Sequence, residues 1–162
     1  MDDNKLNIGP FEMRYNDLIR EATINDCAEI ANLAKEIWTN NLISELEKEF
    51  NESIVSVKAC IYVFVDEDKR IKGFAQCNLR YDYVEGTQSS PVGFLEGIYV
   101  TEEYRGKGIG KLLLSAVESW AKEKGCIEFA SECGINNSTS YNFHIHHGFK
   151  EVNRVICFTK KL

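Results

Sequence analysis

The stretch EEYRGKGIGK, Glu102 to Lys111, joins the apolar run GFLEGIYV to a segment in which Ile109, Leu112, Leu113, Ala116, Val117, Trp120 and Ala121 recur at intervals of three and one. That stripe is the buried face of an amphipathic helix packed on a sheet. The chain must therefore place a strand, a basic glycine-rich turn and a helix in immediate succession. Spacing separates the phosphate loops that such a turn resembles. A Walker loop needs a wider glycine interval followed by Lys and then Ser or Thr, whereas Leu112 follows Lys111 here. The dinucleotide fingerprint requires a small residue at the position that Lys111 occupies. What remains is Arg105, Gly108 and Gly110 in the pattern R-x-x-G-x-G at a helix start. Glycines there clear side chains from the backbone N–H groups, the helix dipole favours an anion, and Arg105, Lys107 and Lys111 add positive charge. A pyrophosphate is the natural guest; the plainer reading is a glycine turn ahead of a surface helix.

The rest of the chain alternates. LIREA reads as a first strand, and Asp26 caps a helix carrying Ile30, Leu33, Ala34 and Ile37 at helical spacing. A polar helix follows at SELEKEF. CIYVFV and IKGFAQCNLRY form a hairpin through DEDKR, and after the loop DYVEGTQSSP the run VGFLEGIYV is a fourth strand. The striped helix ends near Gly125, CIEFASEC is a fifth strand, NNSTSYNFHIHH a helix, and GFKEV and VICFTKK closing strands. The class is α/β of the α+β kind. At 162 residues the chain suits one domain, expected over 14–162, with residues 1–13 as a flexible leader.

Composition narrows the partners. No apolar run approaches the roughly 20 residues of a membrane span, and MDDNKLNIGPFEM has neither basic head nor apolar h-region, so the expectation is a cytoplasmic protein without a membrane partner. A net charge of −6 argues against nucleic acid and is compatible with a cationic substrate. Six cysteines without a C-x-x-C pair read as reduced core residues and not as a disulfide frame or zinc site. Of His144, His146 and His147, only His144 and His147 share a helical face, because successive residues point about 100° apart, and no metal is expected.

The order of GFLEGIYV, TEEY, RGKGIG, helix, strand and a helix ending in HHGF resembles the GNAT superfamily of acyl-CoA-dependent N-acyltransferases over roughly residues 14 to 162. The resemblance implies a mixed, mostly antiparallel sheet of about six to seven strands, splayed between strands 4 and 5 and flanked by about four helices. It also implies that Arg105, Gly106, Lys107, Gly108, Ile109, Gly110 and Lys111 hold the pyrophosphate of acetyl-CoA. Ile98, Tyr99 and Val100 would offer backbone partners to the pantetheine and thioester. Asn137 either reaches this co-substrate or caps the last helix, with Ser138 beside it. A narrower likeness rests on LRYDYVEGTQSSPVGFLEGIYV, Ile37–Trp38, WAKEKGCIEFASE and a His four places before Gly148–Phe149. These look like the bacterial aminoglycoside 6′-N-acetyltransferases, which confer resistance by transferring acetyl to the 6′-amine through direct attack on the thioester. Many GNAT enzymes have Tyr where His144 stands, but this branch shares the His. Glu132 departs from the branch's usual Asp and lengthens the reach of that carboxylate.

Attack on a thioester needs a free amine, so a group must accept a proton. Glu96 and Glu132, on adjacent strands of the implied splay, are the candidate bases and also candidate ligands for ammonium groups; the plainer reading of each is a solvated strand-end carboxylate. His144 either orients or protonates the cofactor thiol or is a buried hydrogen-bonded histidine. Tyr81, Asp82, Tyr83 and Glu85 form an acidic aromatic loop suited to a cationic sugar, or an ordinary exposed loop. Trp38 lines the acceptor cleft or fills the core. Alternatives to the aminoglycoside reading are a GNAT enzyme acting on another small amine, polyamine or peptide, and a non-catalytic acetyl-CoA-binding module. Relatives of this kind often pair, and a homodimer is expected.

Overall fold

Strand order follows chain order across one sheet: β1 (Ile19–Glu21), β2 (Ala59–Val65), β3 (Ile71–Arg80), β4 (Val92–Val100) and β5 (Phe129–Ser131). The computed structural model describes residues 15–162, and the expected leader lies outside them. The first four strands run antiparallel in sequence, whereas β5 joins β4 in parallel because a helix crosses over between them. Helices α1 (Cys27–Ala34) and α2 (Ile43–Ile54) lie between β1 and β2, α3 (Ile109–Glu123) between β4 and β5, and α4 (Ser138–His146) after β5.

Both faces of the sheet are covered. On one face α3 lays Ile109, Leu113, Leu114, Val117, Trp120 and Ala121 against Cys60, Phe64, Ala75, Cys77 and Leu95. On the other, Ile30, Ala31 and Ala34 of α1 and Leu46 and Phe50 of α2 meet Ile61, Val63 and Phe74. This explains why CIYVFV is continuously apolar: alternate residues enter opposite cores. Each large side chain so buried contributes about 1.5–3 kcal/mol. Cys27, Cys60, Cys77 and Cys126 are buried and Cys133 and Cys157 exposed, all six as free thiols. A hydrogen bond with the neighbouring Cys77 thiol, followed by burial, pushes the Cys60 thiol upward.

Two expectations differ in detail. Asp26 stands at the start of α1 but spends its carboxylate on the preceding turn. It accepts from Thr23 N at 2.7 Å and Thr23 Oγ1 at 2.9 Å and pairs with both terminal nitrogens of Arg20. Arg20, followed by Thr23, lowers Asp26 to about 2. The closing strands are absent among the described residues: GFKEV and VICFTKK form none, leaving five strands where six or seven were expected. A strand exists only with a hydrogen-bonding partner. No described segment lines the outer edge of β5, and Ile156 and Phe158 stand 81% and 91% exposed.

Candidate active site

The sheet opens at one residue. On β3, Gln76 faces Gly97 but Cys77 faces Leu95, so Glu96 is the extra residue of a β-bulge. On the other side the β4–β5 ladder stops at Leu95–Ser131 while β4 continues to Val100. Ile98, Tyr99 and Val100 thus remain paired to Ala75, Phe74 and Gly73 while β5 has parted from them. This is the splay expected between strands 4 and 5.

Beyond Val100 the chain makes a tight turn at Glu102–Tyr104 and enters α3 through Gly106 (φ 72°) and Gly108 (φ 80°). A side chain in this left-handed region costs roughly 1–2 kcal/mol. The two nearest cations fold back on the loop. Arg105 Nε donates to Val100 O at 2.9 Å, and Lys107 Nζ donates to Glu103 O at 2.7 Å. Gly110 lets α4 approach, because a Cβ there would lie 3.1 Å from Phe143. Lys111 lines a hollow of about 370 Å³ with Leu114, Ser115, Glu118, His146 and His147. Burial raises the Glu118 carboxyl above its ordinary value. Asn137 Oδ1 accepts from Ser140 N at 3.0 Å and caps α4.

Glu96 turns toward the face covered by α1 and α2. Arg80 donates one terminal nitrogen to both its oxygens, at 3.0 and 3.1 Å, and Asn78 Nδ2 donates to Oε1 at 3.2 Å. The Arg80 guanidinium lies 3.5 Å from the Phe94 ring centroid. Because a carboxylate only accepts, the Asn78 amide must turn its nitrogen to Glu96, which leaves Asn78 Oδ1 buried without a partner. Gln76, 1% exposed, donates to Ser53 Oγ at 3.1 Å. Trp38 lies on the bulge at Gly97 and packs its ring 6.2 Å from Phe50, so it both lines this face and belongs to the core. Glu132 follows Ser131 and Glu96 follows Leu95, the last pair of the β4–β5 ladder, so the chain carries each carboxylate just beyond the point where the two strands part.

The loop after β3 leaves Tyr81, Asp82, Tyr83 and Glu85 exposed, with Tyr83 Oη donating to Glu85 Oε1 at 3.3 Å and Lys58 Nζ 5.1 Å from the Tyr81 centroid. Buried Val84 packs with Val92 and Phe94 to anchor it. Glu128 Oε1 fastens its far end, accepting from Gln88 N, Ser89 N and Ser89 Oγ at 2.8, 2.8 and 2.6 Å. The Ser89 hydroxyl and these amides hold the Glu128 carboxyl below its ordinary value.

His144 reaches the apex of the splay from α4. Its Nδ1 lies 2.6 Å from Ser140 O and its Nε2 2.9 Å from Ser131 Oγ, which itself stands 3.1 Å from Leu95 O. A carbonyl only accepts, so Nδ1 carries the proton. Sequence reasoning passed over Gln76, Asn78, Arg80, Ser131 and Glu128. The signal for the first three was polar residues at every second position of an otherwise apolar strand.

Comparison with known proteins agrees with this geometry. The acetyltransferase (GNAT) family profile matches residues 27–149. An aminoglycoside N(6′)-acetyltransferase type 1 of Stenotrophomonas maltophilia is 38% identical over 144 residues, 89% of this chain and 93% of that protein. One of Klebsiella aerogenes is 36% identical over 153 residues, 93% of this chain and all of that protein. The solved structure of AAC(6′)-Iy with the bisubstrate analogue CoA-S-monomethyl-acetylneamine superposes with a TM-score of 0.82 at 33% identity, covering 89% of this chain and 97% of that one.

Proposed function

The chain belongs to the GNAT acetyltransferase family, and from that premise we propose that it transfers the acetyl group of acetyl-CoA to the 6′-amine of aminoglycosides. The observation that carries the reading is the bulge at Glu96, which sets a carboxylate at the mouth of the splay, one strand-end away from the R-x-x-G-x-G turn. The co-substrate fits the residues present: the glycines at 106 and 108 turn the chain into the helix start, and a Cβ at Gly106 would meet nothing within 4 Å. When bound, acetyl-CoA supplies an acyl group already activated as a thioester.

The residues divide the work. Backbone amides from Arg105 to Lys111 bind the pyrophosphate, with Asn137 at the neighbouring helix start. Ile98, Tyr99 and Val100 offer main-chain partners, and N–H groups near Tyr99 and Val100 stabilise negative charge on the thioester oxygen. Glu96 or Glu132 accepts a proton from the amine, directly or through water, and binds the acceptor's other ammonium groups. Trp38, Tyr81, Asp82, Tyr83 and Glu85 form the acceptor wall, and His144 orients or protonates the thiol. In this reading residues 14–162 act as one domain, and the demand for acetyl-CoA supports a cytoplasmic location.

Regiochemistry tests the assignment. An aminoglycoside with an amine at 6′ is turned over, whereas its 6′-hydroxyl counterpart yields no acetyl at that position. Equal thiol release from both, or NMR placing the acetyl on another nitrogen, refutes it. The homodimer is supported by two features of the described residues, the exposed apolar side chains of Val155, Ile156 and Phe158 and the unpaired outer edge of β5. A second copy is the occupant we assign, because strand addition there would pair an edge of the same sheet. Light scattering should give a dimer, and a chain ending at residue 152 a monomer; a full-length monomer refutes the pairing.

A further inference from the structure

Glu96 is already neutralised by a cation of its own chain. Arg80 bridges both carboxylate oxygens from a position held by the Phe94 ring, and the pair is part-buried, with side-chain exposures of 41% for Arg80 and 23% for Glu96. A bare carboxylate beside a bound amine would stabilise the ammonium form, which has no lone pair with which to attack. A paired carboxylate offers the same hydrogen-bond acceptor without that bias.

We propose that Arg80 is a further specificity-determining residue of the acceptor site: its positive charge offsets Glu96 so that the amine bound there sheds its proton, while Asn78 fixes the carboxylate's orientation. The inference rests on the acetyl-transfer reading above. The balance is simple. The ammonium releases one proton through Glu96 to solvent, the nitrogen–carbon bond forms as the carbon–sulfur bond breaks, and the second amine proton ends on the thiol.

The charged and titratable groups on the surrounding elements are Lys58 ahead of β2, Tyr81, Asp82, Tyr83 and Glu85 in the loop after β3, Glu132 after β5, His144 on α4, Lys35 and Glu36 after α1, and Glu45, Glu47, Lys48, Glu49 and Glu52 on α2, which meets this face through Ser53, as the segment after α1 does through Trp38. Lys58 stands over Tyr81, Glu85 takes the Tyr83 hydroxyl, and His144 is engaged by Ser131 and Ser140. Arg80 is therefore the cation that meets Glu96 directly.

The test replaces charge and keeps shape. In Arg80→Met the acidic limb of the kcat–pH profile should move up by about one pH unit, the effect of a like charge a few ångströms away in a half-exposed site. KM for a 6′-amino aminoglycoside should fall several-fold at neutral pH, since the subsite becomes net negative. Arg80→Gln, which keeps a polar contact to Glu96, should behave the same way, and Arg80→Lys should restore both parameters. A loss of packing alone would lower kcat without moving the limb. A direct reading comes from ¹⁵N NMR titration of the 6′-amine bound in the presence of CoA, where the neutral variants should hold the ammonium form to higher pH. If the limb and the bound-amine titration stay in place in folded Arg80→Gln, the inference is wrong while acetyl transfer stands. A wild-type protein that turns over no aminoglycoside overturns the acceptor assignment itself, and the inference with it.

Discussion

Gly97 allows the tightest approach on the face proposed to bind the acceptor, and adding one methyl group there should have two separable effects. A Cβ at this position would lie 2.6 Å from Trp38 Cη2, 2.7 Å from Trp38 Cζ2 and 3.1 Å from Ile37 Cδ1. Carbon pairs prefer about 3.5–4.0 Å, so the indole must retreat by about 1 Å. It has no room to move inward, because its centroid stands 6.2 Å from both Phe50 and Phe74, which are 1% and 0% exposed. Trp38 must then swing toward the acceptor side. Overpacking of this kind costs about 1–3 kcal/mol. For a chain of this length that is a drop in Tm of about 3–10 °C in Gly97→Ala. Displacing a wall of the acceptor cleft by about 1 Å should lower kcat/KM for the aminoglycoside by roughly 10- to 100-fold. Acetyl-CoA affinity should change little, since the turn proposed to hold the pyrophosphate lies beyond Val100. Urea titrations and steady-state kinetics read the two effects, and a cycle with Trp38→Leu assigns them. Without the indole, Gly97→Ala should cost under about 0.5 kcal/mol. An equal cost in both backgrounds would refute the steric argument.

Three further outcomes follow from particular contacts. Gly108→Val puts a β-branched residue at φ 80° in the pyrophosphate turn and should weaken acetyl-CoA binding at least about tenfold by calorimetry, with native circular dichroism; unchanged affinity removes the turn from the site. Glu96→Gln should lower kcat/KM by about tenfold or more, and near-normal turnover would take Glu96 out of the proton path. Asp26 lies near 2 in the folded chain against an ordinary 3.8, so between those values the unfolded chain binds more protons. Its contribution, about 1 kcal/mol after solvent screening, is complete above pH 4 and lost as the pH falls toward 2, and Asp26→Asn should flatten that part of the stability–pH curve.

The parts of the site that were legible in the sequence are those whose physics is local. The left-handed backbone at Gly106 and Gly108 and the apolar stripe of α3 are properties of a few consecutive residues, so spacing alone located the turn and the helix. The bulge at Glu96 is not local. It exists because β3 and β4 slip by one residue at Gln76–Cys77, a pairing that no single strand encodes. The Arg80–Glu96 pair depends on that slip, and so stayed hidden although both residues were in view. The closing segment failed for a related reason. VICFTKK has strand composition, but composition supplies no partner, and residues 150–162 lie in no described sheet. Glu128 was passed over because its work is on a loop about 40 residues earlier in the chain, where it fastens Gln88 and Ser89.

The last register pair of the splay also explains what His144 contributes to the architecture. Leu95 and Ser131 are the final partners of β4 and β5, and the Ser131 hydroxyl stands between Leu95 O and His144 Nε2. With Nδ1 committed to Ser140 O, only Nε2 is free to change its proton. In the neutral ring Nε2 accepts from the Ser131 hydroxyl. In the protonated ring Nε2 donates to Ser131 Oγ, and the hydroxyl proton turns to Leu95 O. Either arrangement satisfies the ring and the hydroxyl with the same atoms, so the contact between α4 and the end of the ladder holds in both. A Tyr in place of His144 would present a single hydroxyl and no ring nitrogen with which to hold Ser140. The imidazole therefore uses both nitrogens structurally: Nδ1 closes on its own helix at Ser140 O, and Nε2 ties α4 to the end of the β4–β5 ladder at Ser131.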